Sequence, residues 1–285
     1  SQVEARRLAA LAGQANLVQQ FANGDDVYSI FGTSFYGREV SKKTPQERAV
    51  SKEAVLSLGY SAGAASFRTR MKAAYGIELT EDEARDLVKF YRDKHRNITA
   101  FWQQCHAAIQ VMHNGGEYKF GSNDELTAVK GEIVFADGWR MRYDDIQFHG
   151  YDKYNREQYS YMSHQHRCRK HLYSGLLANN VTQGTATRIL HWQLMQLRKQ
   201  GKIMRGAVHD ELITVVPYSE VFDYYNAMIN VMRTGPAWAS GTPLDCEFEI
   251  GKNFGELYDI ATFVQQHYDV LKNYHPTDLL DQYIA

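Results

Sequence analysis

The segment Gly201 to Pro217, GKIMRGAVHDELITVVP, sets a charged triplet, His209-Asp210-Glu211, inside an apolar run. Ile203, Met204, Ala207 and Val208 precede the triplet; Leu212, Ile213, Val215 and Val216 follow it. Two β-branched runs around a short charged tip predict a tight β-hairpin presenting an imidazole and two carboxylates. Adjacent carboxylates that are even half buried need a positive partner, and a divalent metal is the usual partner where chemistry is done. A solvated turn accounts for the same residues, since Asp is frequent in turns. On this segment alone the turn is the better account.

A second constellation recurs every four residues: Arg48, Lys52, Leu56 and Tyr60. On a helix of about 3.6 residues per turn this spacing makes one slowly drifting stripe. Two cations giving way to an apolar and an aromatic side chain suit a polyphosphate with a flat base beyond it. Guanidinium and ammonium groups clamp phosphate oxygens, and Tyr stacks. Taken by itself, the stripe is better explained by an amphipathic helix with its charges in water.

Weaker signals accompany these two. Gln2 and Glu4 alternate with Val3 and Ala5, as where a strand end enters a helix. Thr182-Gln183-Gly184-Thr185 reads as the opening of a helix whose small groups allow close approach, although capping explains either Thr equally well. Asn179 and Gln183 are i, i+4 amides able to face a groove. The run His164 to His171, HQHRCRKH, lacks the spacing of a zinc site, and its cations oppose a metal. A basic stripe touching phosphates is the better reading.

Such groups need a scaffold, and 285 residues suffice for one large or two modest domains. At 44% hydrophobic and 13% aromatic residues the composition is globular. The net charge of −1 excludes a basic nucleic-acid-binding tail, so any polyanion site must come from local clustering. Three Cys without CxxC spacing argue against a zinc ribbon or a disulfide framework and fit a reducing compartment. With no long apolar run and no signal-peptide pattern, the expectation is a soluble cytoplasmic protein with no membrane partner.

Periodicity predicts a helix over 2–22, a long helical pattern from Pro45 to about Tyr75, and a helix opened by Thr80. Further helices are expected over 98–112, 171–199 and 219–233. Residues 113–162 turn to short strand-like runs such as Glu132 to Phe135 before an Asp137-Gly138 turn. Glu247 to Ile250 reads as another strand. Long helices in the middle and a small antiparallel sheet near the C-terminus predict an α+β fold.

In this order the segments resemble family A DNA polymerases of the Pol I and phage type. SQVEARRLAALAG at 1–13 is similar to the end of the family's first palm motif, through Gln2, Glu4 and Arg6. Arg48-x3-Lys52-x7-Tyr60 is similar to its nucleotide-binding fingers helix. Asn179-x3-Gln183-Gly184-Thr185 and Val208-His209-Asp210-Glu211-Leu212 are similar to the two following palm segments. The likeness covers about residues 1–255.

The resemblance implies a right-hand polymerase fold: palm at 1–16, fingers at 17–170, and palm with a C-terminal extension at 171–285. It implies DNA synthesis from dNTP on a primer–template, with two Mg2+ ions or Mn2+. Asp210 would ligate metal, with Glu211 a weaker or indirect contributor. Arg48 and Lys52 would hold the triphosphate, and Lys52 would protonate the leaving pyrophosphate. Tyr60 would close the pocket, Glu4 would exclude a ribose 2′-OH, and Gln2 and Tyr28 would lie at the nucleotide. Arg6, Asn179, Gln183 and His209 would contact primer–template.

The chain also departs from the pattern. Leu56 stands where an aromatic is usual, which bears on sugar discrimination. Tyr28 stands for a common His, and Gly175 for a common basic contact. The family's first-motif Asp would fall two residues before Ser1, and thumb and exonuclease would lie further upstream. The expectation is therefore a C-terminal portion, inactive alone, arising by truncation or proteolysis, from a split gene or at an intein junction, and needing an N-terminal partner. A single-subunit RNA polymerase and a non-catalytic DNA-binding subunit are the competing readings; Glu4 and Glu211 point away from the first, and the retained Asp210, Lys52 and Arg48 from the second.

Overall fold

The computed structural model describes residues 2–284. Ser1, on which the reading of the chain's start rests, and Ala285 lie outside the described residues. The chain divides into two compact units, one of residues 2–186 with 238–243, the other of residues 187–237 with 244–285. Each is described by itself.

The first unit opens with α1 (Val3–Leu11) and α2 (Ala15–Ala22) where one helix was expected. The break falls at Gly13, whose φ of 65° ends a helix at no steric cost. Next come α3 (Val27–Tyr36) and α4 (Pro45–Ser57), the latter followed by a single 3-10 turn at Leu58–Tyr60 and then α5 (Ala64–Tyr75). The helical pattern read from Pro45 to Tyr75 is thus two helices. Gly59, Ser61 at φ 65° and Gly63 interrupt it, and a Cβ at Gly59 would stand 2.5 Å from Cδ2 of Leu8.

Thr80 opens α6 (Glu81–Lys94) through a capping box. Its hydroxyl accepts from the Glu83 N–H at 3.2 Å, and Glu83 accepts from the Thr80 N–H at 2.8 Å. Then α7 (Arg96–Asn114) buries Ile98, Phe101, Cys105 and Ile109 in the unit's core.

One member of that core is ionisable. His95, between α6 and α7, is 3% exposed and stacks on Phe31, and neither ring nitrogen has a hydrogen-bond partner among the described residues. Burial, with Lys94 adding, pushes its pKa down from 6.5 to about 4. Above pH 6.5 the ring is neutral whether folded or unfolded. As pH falls from 6.5 to about 4, only the unfolded chain takes up the proton, so stability declines by up to about 3 kcal/mol at ~1.4 kcal/mol per unit. Urea unfolding at pH 7 and pH 5 should show this loss, and His95→Leu should reduce it.

The middle of the chain holds more sheet than its sequence suggests. Strands β1 (Tyr118–Phe120), β2 (Leu126–Val129), β3 (Glu132–Phe135) and β4 (Arg140–Arg142) form an antiparallel meander. A second antiparallel sheet takes β5 (Asp144–Tyr151), β6 (Glu157–Ser163) and β7 (Cys168–Leu172). The sheet expected near the C-terminus therefore lies mostly here. The first sheet's strands are only three or four residues long, and the longer β5 is largely exposed on both faces, so neither offers a clear apolar alternation to read. His171, expected in a helix, belongs to β7, and the helix α8 starts later (Ser174–Lys199).

A buried ion pair ties distant parts of this unit together. Arg7 of α1 is fully buried and pairs with Glu125 beside β2, and its Nη1 donates to the Thr242 hydroxyl at 2.8 Å. Burial lowers the Arg7 pKa to about 9, which still leaves it charged at neutral pH against the Glu125 carboxylate.

The second unit contains the C-terminal part of α8, the strands β8 (Gly206–Val208) and β9 (Glu211–Ile213), and α9 (Val221–Met232). It closes with α10 (Ile260–Leu271) and α11 (Thr277–Ile284). Phe222, Phe263, Val264, Leu271 and Leu280 make its main core. The strand expected at 247–250 reduces to one bridge, Ile250 to Tyr258.

Candidate functional site

The hairpin forms as its apolar runs require. β8 and β9 pair antiparallel, Val208 opposite Glu211 and Gly206 opposite Ile213. The turn is His209-Asp210, and His209 supplies the positive φ, 54°, that a two-residue hairpin turn demands. Glu211, expected at the tip, is the first residue of β9 instead. On the opposite side of that strand, Leu212 packs with Met204 against Leu197, Ala227, Met228 and Val231. The Ile203 N–H donates to the Tyr224 hydroxyl at 3.1 Å, and Lys202 pairs with Asp223, so α9 carries the base of the hairpin.

The side chains of His209, Asp210 and Glu211 are all exposed, and none of them has a hydrogen-bond or ion-pair partner among the described residues. Among those residues no three His, Cys, Asp or Glu side chains gather into a metal cage. Mg2+ is ordinarily held by one or two carboxylates together with substrate phosphates and water. Two adjacent acids without a protein cation fit that donor set.

The remaining expected residues lie in the first unit. Arg48, Lys52 and Leu56 ride on α4, and Tyr60 ends the turn that follows. Lys52 is exposed, while Leu56 is half-buried against the core. Burial pushes the Tyr60 phenol well up, and the Glu4 carboxylate adds to the rise. Glu4, exposed in the first turn of α1, is thus electrostatically coupled to a residue 56 positions later.

Arg48 is half-buried. Its Nε donates to Asp26 at 2.9 Å, and the guanidinium lies 5.7 Å from the centroid of the Tyr28 ring. Tyr28 is 4% exposed, so it supports Arg48 from inside the fold. Gln2 is half-buried at the N-cap of α1 with φ 60°.

Three expectations change. Arg6, expected at primer–template, is buried over the Phe21 ring and donates to the carbonyls of Phe21 and Pro243, both at 3.1 Å. These contacts lie inside the unit and hold the 238–243 segment to α1. Thr182 to Thr185 lie within α8 rather than opening it, and the Thr185 hydroxyl bonds back to the Val181 and Thr182 carbonyls. Asn179, half-buried, and Gln183, exposed, do stand one turn apart on that helix. Gly175 is there for space: a Cβ would lie 2.3 Å from the Tyr60 carbonyl oxygen, so no larger residue fits without moving α8 or the Tyr60 turn.

In the 164–171 run, His164 pairs with Asp144, and Arg169 with Asp145 and the Ser160 hydroxyl. Part of that stripe's charge is therefore taken up by neighbouring acids. Sequence reasoning missed Asp26 and Glu125. An N-cap signal marks Asp26, whose side chain accepts from the Ser29 N–H; nothing local marks its pairing with Arg48, or Glu125 with Arg7.

Residues 1–118 match the family described as DNA polymerase family A. The chain is 26% identical over 257 residues to the DNA polymerase of Bacillus phage SP02, covering 87% of this chain and 39% of that protein. It is 25% identical over 268 residues to DNA polymerase I of Chloroflexus aurantiacus, covering 92% of this chain and 24% of that one. The chain thus spans well under half the length of these relatives. In fold it is similar to the POL domain of Pol1 from M. smegmatis, solved in complex with DNA primer-template and dNTP. That match has a TM-score of 0.56 at 19% identity and covers 86% of this chain and 36% of that one.

Proposed function

We propose that this chain, whose residues 1–118 match DNA polymerase family A and which is similar to phage and bacterial DNA polymerases, carries the nucleotide-binding and catalytic hairpin portions of a template-directed DNA polymerase. In this reading residues 17–170 act as fingers, and residues 1–16 and 171–285 as parts of a palm. The observation that best supports it is the close packing of α1 on the turn after α4, where a Cβ at Gly59 would stand 2.5 Å from Cδ2 of Leu8, with the Glu4 carboxylate raising the Tyr60 phenol. Two residues far apart in sequence, both assigned to one sugar pocket, lie within electrostatic reach of each other.

The reaction joins the primer 3′ oxygen, whose proton passes to water, to the α-phosphorus of a dNTP and breaks the bond from that phosphorus to the bridging oxygen of pyrophosphate. Such transfers depend on positioning and charge stabilisation. Arg48 and Lys52 bind the triphosphate, and Lys52 gives a proton to the departing pyrophosphate. Tyr60 and Leu56 bound the base and sugar, with Gln2 and Tyr28 supporting from behind, and Glu4 leaves no room for a 2′-OH. Asn179, Gln183 and His209 contact primer–template. Asp210, with Glu211, would hold Mg2+ or Mn2+, whose chemistry is to stabilise charge on the attacking and leaving oxygens.

Primer extension by the polymerase containing this chain tests the reading. Template-dictated incorporation of deoxynucleotides is expected. A preference for ribonucleotides would select an RNA polymerase, and DNA binding without incorporation would select a non-catalytic subunit; either would overturn it.

A further inference from the structure

Asp26 stands at the N-cap of α3, and its carboxylate serves two elements. Oδ1 accepts from the Ser29 N–H at 3.2 Å and Oδ2 from the Ser29 hydroxyl at 2.8 Å, the usual duty of a cap. Oδ2 also accepts from Nε of Arg48 at 2.9 Å, from a different helix. Tyr28, buried two residues on, lies under the same guanidinium. Arg48 is therefore held along its Nε edge by a carboxylate and on one face by a ring. Its other edge, the Nη1 and Nη2 pair, has no partner among the described residues. Two parallel N–H groups on that edge match a pair of phosphate oxygens.

We propose that Asp26 is a positioning residue for the incoming triphosphate, fixing Arg48 through Nε so that its Nη edge is presented to phosphate oxygens. The proposal rests on the nucleotide reading of α4 given above. Asp26 exerts two opposed effects. Its negative charge weakens binding of a polyanion nearby, while its grip removes rotamer freedom that a loose arginine would lose on binding. The pair is partly open to water, with side chains 27% and 35% exposed. Solvent and salt screen the charge effect, but they do not screen the rotamer effect. Anchoring prevails, and the carboxylate tightens binding. Burial pushes the Asp26 carboxyl up, and the hydrogen bonds from Arg48 and Ser29 outweigh it, leaving the group below its ordinary range and ionised at neutral pH.

Calorimetric titration of the chain with dATP, and with inorganic tripolyphosphate, in Mg2+ reads this directly. Asp26→Ser keeps a capping oxygen but is too short to reach Nε; Asp26→Asn keeps an acceptor of the same reach without the charge. Asp26→Ser should bind both probes about tenfold more weakly, as expected when an arginine regains much of its rotamer freedom, with an unchanged melting temperature. Asp26→Asn should stay within about twofold of the wild type. By NMR, the Arg48 Nε–H signal should persist in the wild type and Asp26→Asn and vanish into fast exchange in Asp26→Ser.

Wild-type affinity in Asp26→Ser would reduce Asp26 to a helix cap, and tighter binding in both variants would make it a competitor of the phosphate. Either result, or a wild-type Arg48 Nε–H that exchanges like a free one, overturns the proposal alone. If Arg48→Ala binds dATP as the wild type does, or neither binds, the nucleotide reading itself fails and takes the proposal with it.

Discussion

Asp210→Ala is expected to lower template-directed extension more than about a thousandfold, above the ~10²–10³ that loss of one stabilising donor costs a preorganised site. The side chain lies at the hairpin turn, exposed and touching no partner among the described residues. Its removal therefore leaves the pairing of β8 with β9 and the seat of Leu212 unchanged. Surface substitutions of this kind shift stability by about 0.5 kcal/mol or less, so a loss of activity cannot be charged to unfolding. Single-turnover extension by the polymerase containing this chain, with a melting curve on the same sample, separates the two. Extension within tenfold of the wild type would end the metal assignment. Glu211→Ala should cost less, since Glu211 is the weaker or indirect contributor in this reading.

The second large effect concerns the fold. Glu125→Ala should destabilise the first unit by about 3–5 kcal/mol, the usual cost of removing one partner from a buried pair. Arg7 is 0% exposed, and without Glu125 its charge faces, among the described residues, the Thr242 hydroxyl and the ring of Trp238. Burial alone already lowers the Arg7 pKa to about 9. Denaturant unfolding followed by Trp fluorescence measures the loss. The double variant Arg7→Met with Glu125→Leu should recover most of it, because an apolar pair of similar volume carries no desolvation cost. A loss under about 1 kcal/mol in Glu125→Ala would show that the pair is not held dry.

Local chemistry was legible in the sequence. Thr80 was expected to open a helix, and it does so through a capping box with Glu83. The charged tip between β-branched runs announced the hairpin, and the ladder placed its turn at His209-Asp210. The four-residue spacing of Arg48, Lys52 and Leu56 put them on one helix. Caps, turns and periodic faces are decided by neighbours within a few residues, and one sequence contains all of those neighbours.

Expectation and structure part where distant packing decides. The helices expected over 2–22 and 45–75 each broke at positive-φ residues, Gly13 and Ser61, where the chain turns to pack on itself. Arg6 has a surface residue's chemistry, yet the carbonyls of Phe21 and Pro243 take it inside. Gly175 looked like a lost basic contact, and the Tyr60 carbonyl shows that nothing larger fits. Residue types at motif spacing were enough to predict the α+β class and the likeness to family A DNA polymerases. Which charges stand open and which are spent emerged only from the packed chain. Lys52 and Asp210 reach water, Arg48 is bound to Asp26, and Arg7 to Glu125. A side chain's charge acquires its energy from burial and partners, and those partners here lie 22 and 118 residues away.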